Sequence, residues 1–294
     1  MTRTPTPLPL EFRGRPFVAP SADLTRGRTR AADLWSPTRG TRLPSDRRDI
    51  ESRCRAHALT LPPVATFSHF SAAALWDIPL PRTAGDVIHV TTPSGRRAPR
   101  RRDVVGHQSA LAEDDVRVLR GIRVTSPVRT FIDLAAFLPP NALVAVADRI
   151  VSRRTPLATE AAVRQAIDRS DGMRGIKNAR IAAEQMDAGS ESPKETELRL
   201  ILCSAGFGPF ETNHAVYDAQ SRFVARVDLA LRSIRIAVEY EGDHHRDREQ
   251  WRRDIARRRR LEAEGWHYLP VTQADLSDPR QLLRDLSAAI AARG

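Results

Sequence analysis

The stretch of the chain that most constrains the fold runs from Phe223 to His245 and reads FVARVDLALRSIRIAVEYEGDHH. Residues 223–229 and 233–239 are rich in apolar and β-branched side chains, and a short polar break separates them. This pattern predicts two strands that pair with each other as a hairpin.

The acidic residues of this hairpin are expected to meet at one end of it. Successive side chains of a strand point to opposite faces, so Glu239 and Glu241 lie on the same face. Asp228 lies on the neighbouring strand, and His245 comes shortly after the glycine that ends the second strand. Three carboxylates and an imidazole are therefore predicted to converge.

Clustered carboxylates repel each other, and a buried carboxylate without a partner is costly. A counter-charge is therefore expected among them. Oxygen ligands from one or two carboxylates suit a hard cation such as Mg²⁺ or Mn²⁺. Such an ion lowers the pKa of a bound water and neutralises charge that develops on a phosphodiester. The cluster thus predicts hydrolytic nuclease chemistry.

The segment resembles the PD-(D/E)XK or restriction-endonuclease-like superfamily, and within it the very-short-patch-repair-like branch that includes the domain of unknown function 559. The resemblance covers residues 190–294. The residues that carry it are Asp228, Glu239-Tyr240-Glu241, Gly242-Asp243-His244-His245, Arg253-Asp254, Ser192-Pro193-Lys194-Glu195-Thr196, Arg199 and Gly265-Trp266. Val227 stands where the superfamily has Pro, and Glu241 where it has Lys, a position at which this branch commonly has an acid.

The resemblance implies a metal-dependent DNA endonuclease whose α-β-β-β-α-β core is a mixed sheet flanked by helices. It implies Asp228 and Glu239 as metal ligands. Glu241 and His245 would activate water or protonate the leaving oxygen, and Glu195 would be a further site residue. The elements predicted from the pattern have the same order: helix 194–205, strand 213–217, the hairpin, helix 247–264, strand 266–272 and helix 279–291.

Each of these site residues also has a plainer interpretation, and the sequence leaves both open. Ser192 to Glu195 is the pattern of a capping box, in which the glutamate only binds a backbone amide. Asp228 can form an ion pair with Arg226 or Arg235, because an acid within an apolar strand needs a partner. His245 can be an ordinary loop histidine.

The chain is strongly basic, with a formal net charge of +11 over 294 residues, which favours a phosphate-bearing partner such as DNA. Residues 1–150 hold 23 arginines against 14 acidic residues, whereas residues 151–294 hold 24 basic against 22 acidic residues. The positive excess therefore lies upstream of the acidic cluster. The preference for arginine over lysine is also what a GC-rich coding sequence produces.

Two groups of arginines are candidates for contact with phosphate. One group lies in a loop between predicted strands and the other on the helix that follows the hairpin. They are Arg96, Arg97, Arg100, Arg101, Arg102, Arg253 and Arg257. The alternatives are a disordered hairpin tip for the first group and a solvated helix face for the second.

Composition excludes several classes of protein. A hydrophobic content of 41% is that of a globular chain. No apolar run approaches the ~20 residues of a membrane span, and the first residues lack a signal-peptide core, so we expect a cytoplasmic protein that does not bind membranes. Cys54 and Cys203 are too distant for a thiolate zinc motif and are predicted to be buried and reduced.

Three regions are predicted along the chain. Residues 1–45 begin with a proline-rich arm that is expected to be mobile. They end with Pro37-Thr38-Arg39-Gly40-Thr41-Arg42-Leu43-Pro44, a segment that resembles the edge of the winged helix in AbiEi-type antitoxins. Residues 46–189 resemble the α+β body of those antitoxins and end in a helical connector. Residues 190–294 form the α/β nuclease-like domain.

We therefore expect a metal-dependent DNA endonuclease in DNA repair, phage defence or mobile-element biology, which the upstream α+β region positions on DNA. The alternative belongs to another functional class. It is a non-catalytic DNA-binding regulator or type IV antitoxin-like protein that keeps the nuclease fold and binds DNA or a toxin protein.

Overall fold

The structure is a computed structural model that describes residues 5–20, 23–81, 87–242 and 248–294, with only the backbone of residues 248–251. The chain divides into two compact units. The first comprises residues 1–138 and 165–176, and the second comprises residues 139–164 and 177–294. The boundary predicted near residue 190 lies within the second unit.

The first unit combines short strands and helices. Its strands are β1 (Phe17–Val18), β2 (Leu34–Trp35), β3 (Thr41–Pro44), β4 (Thr66–Phe67), β5 (Ile88–Pro93), β6 (Val104–Ser109), β7 (Val116–Leu119) and β8 (Ile122–Thr125). Its helices include α1 (Ile50–Ala58), α2 (His69–Leu75) and α3 (Pro127–Leu134). The strands form a small sheet in the order β1-β3-β2 and a mixed sheet in the order β6-β5-β4-β8-β7.

The core of the first unit lies between the mixed sheet and helices α1 and α2. Cys54 of α1, Leu75 of α2, Ile88 of β5 and Val124 of β8 are buried in one cluster. Complete burial of an aliphatic side chain contributes about 1.5–3 kcal/mol. Cys54 is buried with a free thiol, as the sequence predicted, and burial raises the pKa of this thiol to about 12.

One local prediction for this unit is corrected. The proline-rich segment, expected to be a mobile arm, contributes β1, in which Phe17 is buried with its ring 4.7 Å from that of Phe12. Helix α1 begins at Ile50, after its N-cap residue Asp49, which accepts a backbone hydrogen bond from the first turn.

From residue 139 onward, helices and strands follow in a different order from that of the first unit. Its helices are α4 (Pro140–Val151), α5 (Glu160–Arg169), α6 (Ile176–Gln185), α7 (Pro193–Ser204), α8 (Arg248–Ala263), α9 (Gln273–Ser277) and α10 (Arg280–Ala291). Its strands are β9 (Glu211–Tyr217), β10 (Phe223–Leu231), β11 (Ile236–Tyr240) and β12 (His267–Val271). From α7 to β12 this is the order of elements that the sequence predicted.

The sheet of the second unit has the strand order β12-β11-β10-β9, with β11 and β12 parallel and the other pairs antiparallel. On one face, Leu198 of α7 packs in a cluster with Leu229 and with residues of α9 and α10. On the other face, Leu261 of α8 packs with Ala230 and Ala237. The coarse prediction, helices combined with mixed sheets, is confirmed.

The predicted hairpin is present, with shifted ends. β10 runs two residues further than predicted and β11 begins later. Arg232–Ile234 form a 3-10 turn between the strands, and Arg235 has a left-handed backbone with φ 52°. Cys203 is exposed on α7, so the prediction that both cysteines are buried is wrong for this one. It follows the buried Leu202 by one position and so lies off the buried stripe of the helix.

In the described part of the chain, every helix is too short or too polar to cross a membrane.

Candidate functional site

The hairpin brings its acidic residues to one face of the sheet. β10 and β11 are antiparallel with Leu229 opposite Val238, so the next pair along the strands is Asp228 and Glu239. Directly opposed side chains of an antiparallel pair project to the same face. This is the face on which α8 packs, and Glu241 lies two residues further along.

Asp228 is a half-buried carboxylate whose ionised form is disfavoured. Its Oδ2 accepts a hydrogen bond from the backbone amide of Tyr240 at 2.9 Å. Burial, the charge of Glu195 and the charge of Glu239 together raise the pKa of Asp228 to about 7, against the opposing effects of the Tyr240 amide and Arg257. A carboxyl group with such a pKa can accept or release a proton near neutral pH.

The two arginines considered as simple ion-pair partners of Asp228 make other contacts. Arg226 donates to Glu191 Oε2 at 2.7 Å. Arg235 donates to the carbonyl of Glu264 at 3.1 Å. A simple ion pair of Asp228 with Arg226 or Arg235 is therefore not what the structure shows.

Glu239 is held by a guanidinium from α8. Arg257 donates from Nη1 to Glu239 Oε2 at 2.6 Å and from Nη2 to Oε1 at 2.5 Å, the bidentate geometry of a strong ion pair. Glu239 is only 5% exposed, and its burial raises its pKa in spite of this pairing. Part of the counter-charge that the acids require thus comes from the protein itself.

Tyr268 links the last two acids of the hairpin. Its hydroxyl lies 2.8 Å from Glu241 Oε1 and 3.2 Å from Glu239 Oε2. Burial and the adjacent carboxylates raise the pKa of Tyr268, so the hydroxyl keeps its proton and donates it. The sequence analysis did not identify this residue. The parallel register that sets Tyr268 opposite Ala237 places it beside the acids.

Glu195 contributes to the same cluster from the first turn of α7. Its Oε2 accepts hydrogen bonds from the backbone amide of Glu191 at 2.8 Å and from Asn213 Nδ2 at 2.7 Å. Ser192 caps the helix by accepting from the Glu195 amide at 3.1 Å. The serine half of the predicted capping box is present, but the glutamate also reaches β9 and raises the pKa of Asp228.

A buried network fixes the start of α7 and therefore the position of Glu195. Asp148 of α4 accepts hydrogen bonds at Oδ2 from Thr196 at 2.7 Å and from Arg199 at 2.9 Å. Its Oδ1 accepts from the Asp187 amide at 2.7 Å. Buried, hydrogen-bonded ion pairs of this kind hold neighbouring elements in one arrangement.

The remaining residues predicted near the hairpin are not all described. His245 lies outside the described residues, together with Asp243 and His244. On α8, Arg253 is exposed. Arg257 is mostly engaged with Glu239, and 31% of its side chain is exposed.

The arginine loop of the first unit joins β5 to β6. Because these strands are parallel, the loop is a crossover connection and not the hairpin tip considered from the sequence. Arg101 anchors it by donating to Thr60 Oγ1 at 2.7 Å and to the Thr60 carbonyl at 2.6 Å. The exposed members are Arg96, Arg97, Arg100 and Arg102.

The acidic cluster fits a hard cation by its chemistry, since its donors are carboxylate oxygens. In the described residues, three histidines of the first unit have ligand atoms within 4.8 Å of one another. The described carboxylate oxygens of the acidic cluster do not form such a close group, so they are spaced more widely. Arg257 occupies both oxygens of Glu239. Burial and the charges of Glu195 and Glu239 still raise the pKa of Asp228, although Arg257 opposes this shift.

No family model matches the chain. Two proteins of Mycobacterium tuberculosis, Uncharacterized protein Rv2248 of strain H37Rv and Uncharacterized protein MT2308 of strain CDC 1551, are each 28% identical to it over 211 residues, which are 70% of this chain and 73% of theirs. The crystal structure of the RV2827C protein from Mycobacterium tuberculosis aligns with 64% of this chain and 74% of its own, with 16% identity and a TM-score of 0.37. None of these names states an activity.

Proposed function

We propose that this protein is a metal-dependent DNA endonuclease whose acidic cluster hydrolyses phosphodiester bonds. The observation that carries the proposal is the convergence of Asp228, Glu239 and Glu241 at one end of the hairpin, with Glu195 close enough to raise the pKa of Asp228. Arg257 offsets one of these charges, and the remaining acids require more positive charge. A divalent ion such as Mg²⁺ or Mn²⁺ held by Asp228 and Glu239 would supply it, lower the pKa of a bound water and stabilise charge on the phosphodiester.

The order of elements supports the finer assignment of the fold. Helix α7, strands β9 to β11, helix α8 and strand β12 follow the α-β-β-β-α-β order of a restriction-endonuclease-like core. Together with the acids, this order supports a very-short-patch-repair-like nuclease domain. The α+β composition of the first unit is compatible with the proposed AbiEi-like region, which would bring the molecule to DNA.

The other residues of the cluster have complementary roles in this proposal. Tyr268 fixes Glu241 by its 2.8 Å hydrogen bond, which positions this carboxylate to accept a proton from water. His245 would assist proton transfer. Arg257 contacts phosphate only when it leaves Glu239, and a cation at Glu239 would permit this by replacing its charge. Arg253 and the exposed arginines of the β5–β6 loop would hold the DNA backbone.

Cleavage of plasmid and of labelled oligonucleotides, with Mg²⁺, Mn²⁺ or a chelator, tests the proposal. Asp228→Asn keeps the acceptor for the Tyr240 amide but removes the charge, so cleavage should fall by orders of magnitude while DNA binding persists. Asp285→Asn, at an exposed acid of α10, is the matched control and should cleave normally. Equal cleavage by the Asp228 and Asp285 variants would overturn the assignment.

The bidentate contact of Arg257 with Glu239 favours a second candidate function. Both oxygens of this carboxylate already have a partner, as expected of a nuclease fold that serves as a non-catalytic DNA-binding regulator or antitoxin-like protein. In that case the protein cuts nothing with any metal. Its melting temperature should also not respond to millimolar Mg²⁺ or Mn²⁺, because no ligand binds the folded state.

A further inference from the structure

Three histidines from separate segments of the first unit converge on one point. His69 begins α2, His89 lies in β5 and His107 lies in β6. One ligand nitrogen of each ring lies within 4.8 Å of the other two. His89 Nδ1 is 3.0 Å from His107 Nε2. The proposed nuclease function makes no use of these residues.

The backbone determines this convergence. β5 and β6 are parallel with Thr91 opposite His107, so His89 and His107 lie two register positions apart on the same face. His69 has a left-handed backbone with φ 51°, which is uncommon for a residue other than glycine. Strained positions of this kind are concentrated at binding and catalytic sites.

A buried carboxylate lies near His69. Asp133 of α3 has its Oδ2 4.0 Å from His69 Nδ1, and within the described part of the protein this oxygen has no hydrogen-bond partner. The other oxygen accepts from Arg129 Nε at 2.8 Å. Histidines that bind a metal through one nitrogen usually donate the other N–H to a carboxylate or another oxygen. Ser68 Oγ, 2.9 Å from His69 Nδ1, is within hydrogen-bond distance of that nitrogen, and the charge of Asp133 just beyond it favours an N–H there.

All three rings are withdrawn from solvent, since His69 and His89 are buried and His107 is half-buried. A neutral imidazole binds a metal ion through the lone pair of one ring nitrogen. The cluster therefore offers three nitrogen ligands in a space with little water.

We propose that His69, His89 and His107 form a binding site for Zn²⁺, with Asp133 positioning His69. Three imidazoles suit zinc, whereas Mg²⁺ prefers oxygen ligands. Three protein ligands also leave a fourth position for water or substrate. Phe137 packs edge-on against His69, with ring centroids 5.3 Å apart, and gives the site an apolar wall.

Zinc binding must turn one ring. His69 and His107 are stacked, with centroids 3.7 Å apart and 15° between their planes. A ligand nitrogen binds an ion in the plane of its ring, so two stacked rings cannot both reach the same ion. His69 is only 7% exposed, whereas His107 is half-buried and has more room to move. Zinc should therefore change the environment of His107 the most.

Titration of the full chain with Zn²⁺, after treatment with a chelator and against a chromophoric competitor, tests the site. We expect one tightly bound zinc ion per chain. His107→Ala or His89→Ala should weaken binding at least about 100-fold, since even loss of a supporting group outside the ligand set costs about 10–100-fold. His267→Ala is the control, because this histidine lies half-buried in β12 of the second unit.

Cobalt gives a readout on the wild-type chain that does not depend on how a variant folds. Co²⁺ bound by imidazoles shows visible d–d bands without the thiolate charge-transfer absorption that Cys54 or Cys203 would add.

His107→Gln keeps a polar side chain of similar size, and its urea midpoint distinguishes loss of a ligand from loss of the fold. Absence of zinc binding, a thiolate band, or loss of binding in Asp228→Asn instead of His107→Ala would each overturn the proposal.

Discussion

The acidic cluster of the second unit and the histidine cluster of the first unit accommodate buried polar groups in opposite ways. Glu239 is paired with Arg257, and burial beside other acids raises the pKa of Asp228 to about 7. The histidines contact one another, and Asp133 lies 4.0 Å from His69. The first cluster therefore attracts a cation through its charge and the second through lone pairs. We expect them to differ in metal preference and to be separable by mutation.

The largest expected effect is a loss of stability when the Arg257 guanidinium, which pairs with Glu239, is removed. Arg257→Met leaves Glu239 buried without a counter-charge, which should reduce the free energy of unfolding by about 3–5 kcal/mol in urea titrations. Adding Glu239→Gln should restore most of the loss, because the uncompensated charge is then absent. Millimolar Mg²⁺ should stabilise Arg257→Met more than the wild type, because the ion takes the place of the guanidinium.

Arg259→Met is the matched control, since this arginine lies exposed on the same helix. If the two methionine variants are equally stable, Glu239 does not need Arg257. The contrast between a cluster of acids that needs counter-charge and a cluster of imidazoles would then be wrong.

The second prediction concerns pH and applies to the acidic cluster. The folded-state pKa of Asp228, about 7, lies above its ordinary value of 3.8, so the folded protein holds a proton that the unfolded chain has released. Stability linked to this group is complete below pH 4 and is lost as the pH rises to 7. Asp228→Asn should match the wild type at pH 4 and exceed it at pH 8 by on the order of 2 kcal/mol.

Urea unfolding of both proteins between pH 4 and pH 8 measures this difference. Asp285→Asn serves again as the exposed control and should give no such divergence. A constant difference between Asp228→Asn and the wild type across this range would show that Asp228 is ionised in the folded state.

Part of the acidic cluster could be predicted from the sequence because strand alternation fixes which side chains share a face. Glu239 and Glu241 are two residues apart, so their relation follows from local geometry alone. The sequence predicts that Arg257 contacts phosphate, whereas its pairing with Glu239 depends on the rotation of α8 against the sheet. Tyr268 depends on the parallel register between β11 and β12, which no local pattern specifies.

The histidine cluster could not be predicted from the sequence, because all of its contacts depend on strand register and backbone conformation that no local pattern specifies. His69, His89 and His107 each stand alone in an apolar or mixed segment, without the close spacing of a metal motif. They meet only because β5 and β6 are parallel and because the backbone at His69 is left-handed. Parallel pairing across the arginine loop was not foreseen, since a hairpin was considered there.

A third prediction tests whether Asp133 supports the histidine cluster and has no effect on the acidic cluster. Asp133→Asn should weaken zinc binding by about 10-fold, because it replaces the carboxylate beside His69 Nδ1 with a neutral amide. The response of the protein to Mg²⁺ should not change. Asp115→Asn is the control, since Asp115 also pairs with Arg129, at 2.9 Å, and Arg129 is bound by Asp133 as well. If both variants weaken zinc binding equally, the effect comes from Arg129 and not from the carboxylate at His69.

The smallest expected effect separates exposed arginines from structural ones. Four arginines of the β5–β6 loop are exposed, whereas Arg101 is bound to Thr60. Replacing Arg96, Arg97, Arg100 and Arg102 with Gln should flatten the slope of log affinity for DNA against log salt by about 0.9 for each phosphate that these arginines neutralise in the wild type. Arg101→Gln should mainly reduce stability, because its guanidinium anchors the loop to Thr60.

Fluorescence anisotropy with chelator present measures the slopes without cleavage. The control replaces four exposed arginines of α8, Arg252, Arg253, Arg259 and Arg260. Because the positive excess lies in the first 150 residues, the loop variant should show a larger decrease in slope than the control. An equal or larger decrease in the α8 variant would place the DNA backbone along the acidic cluster instead.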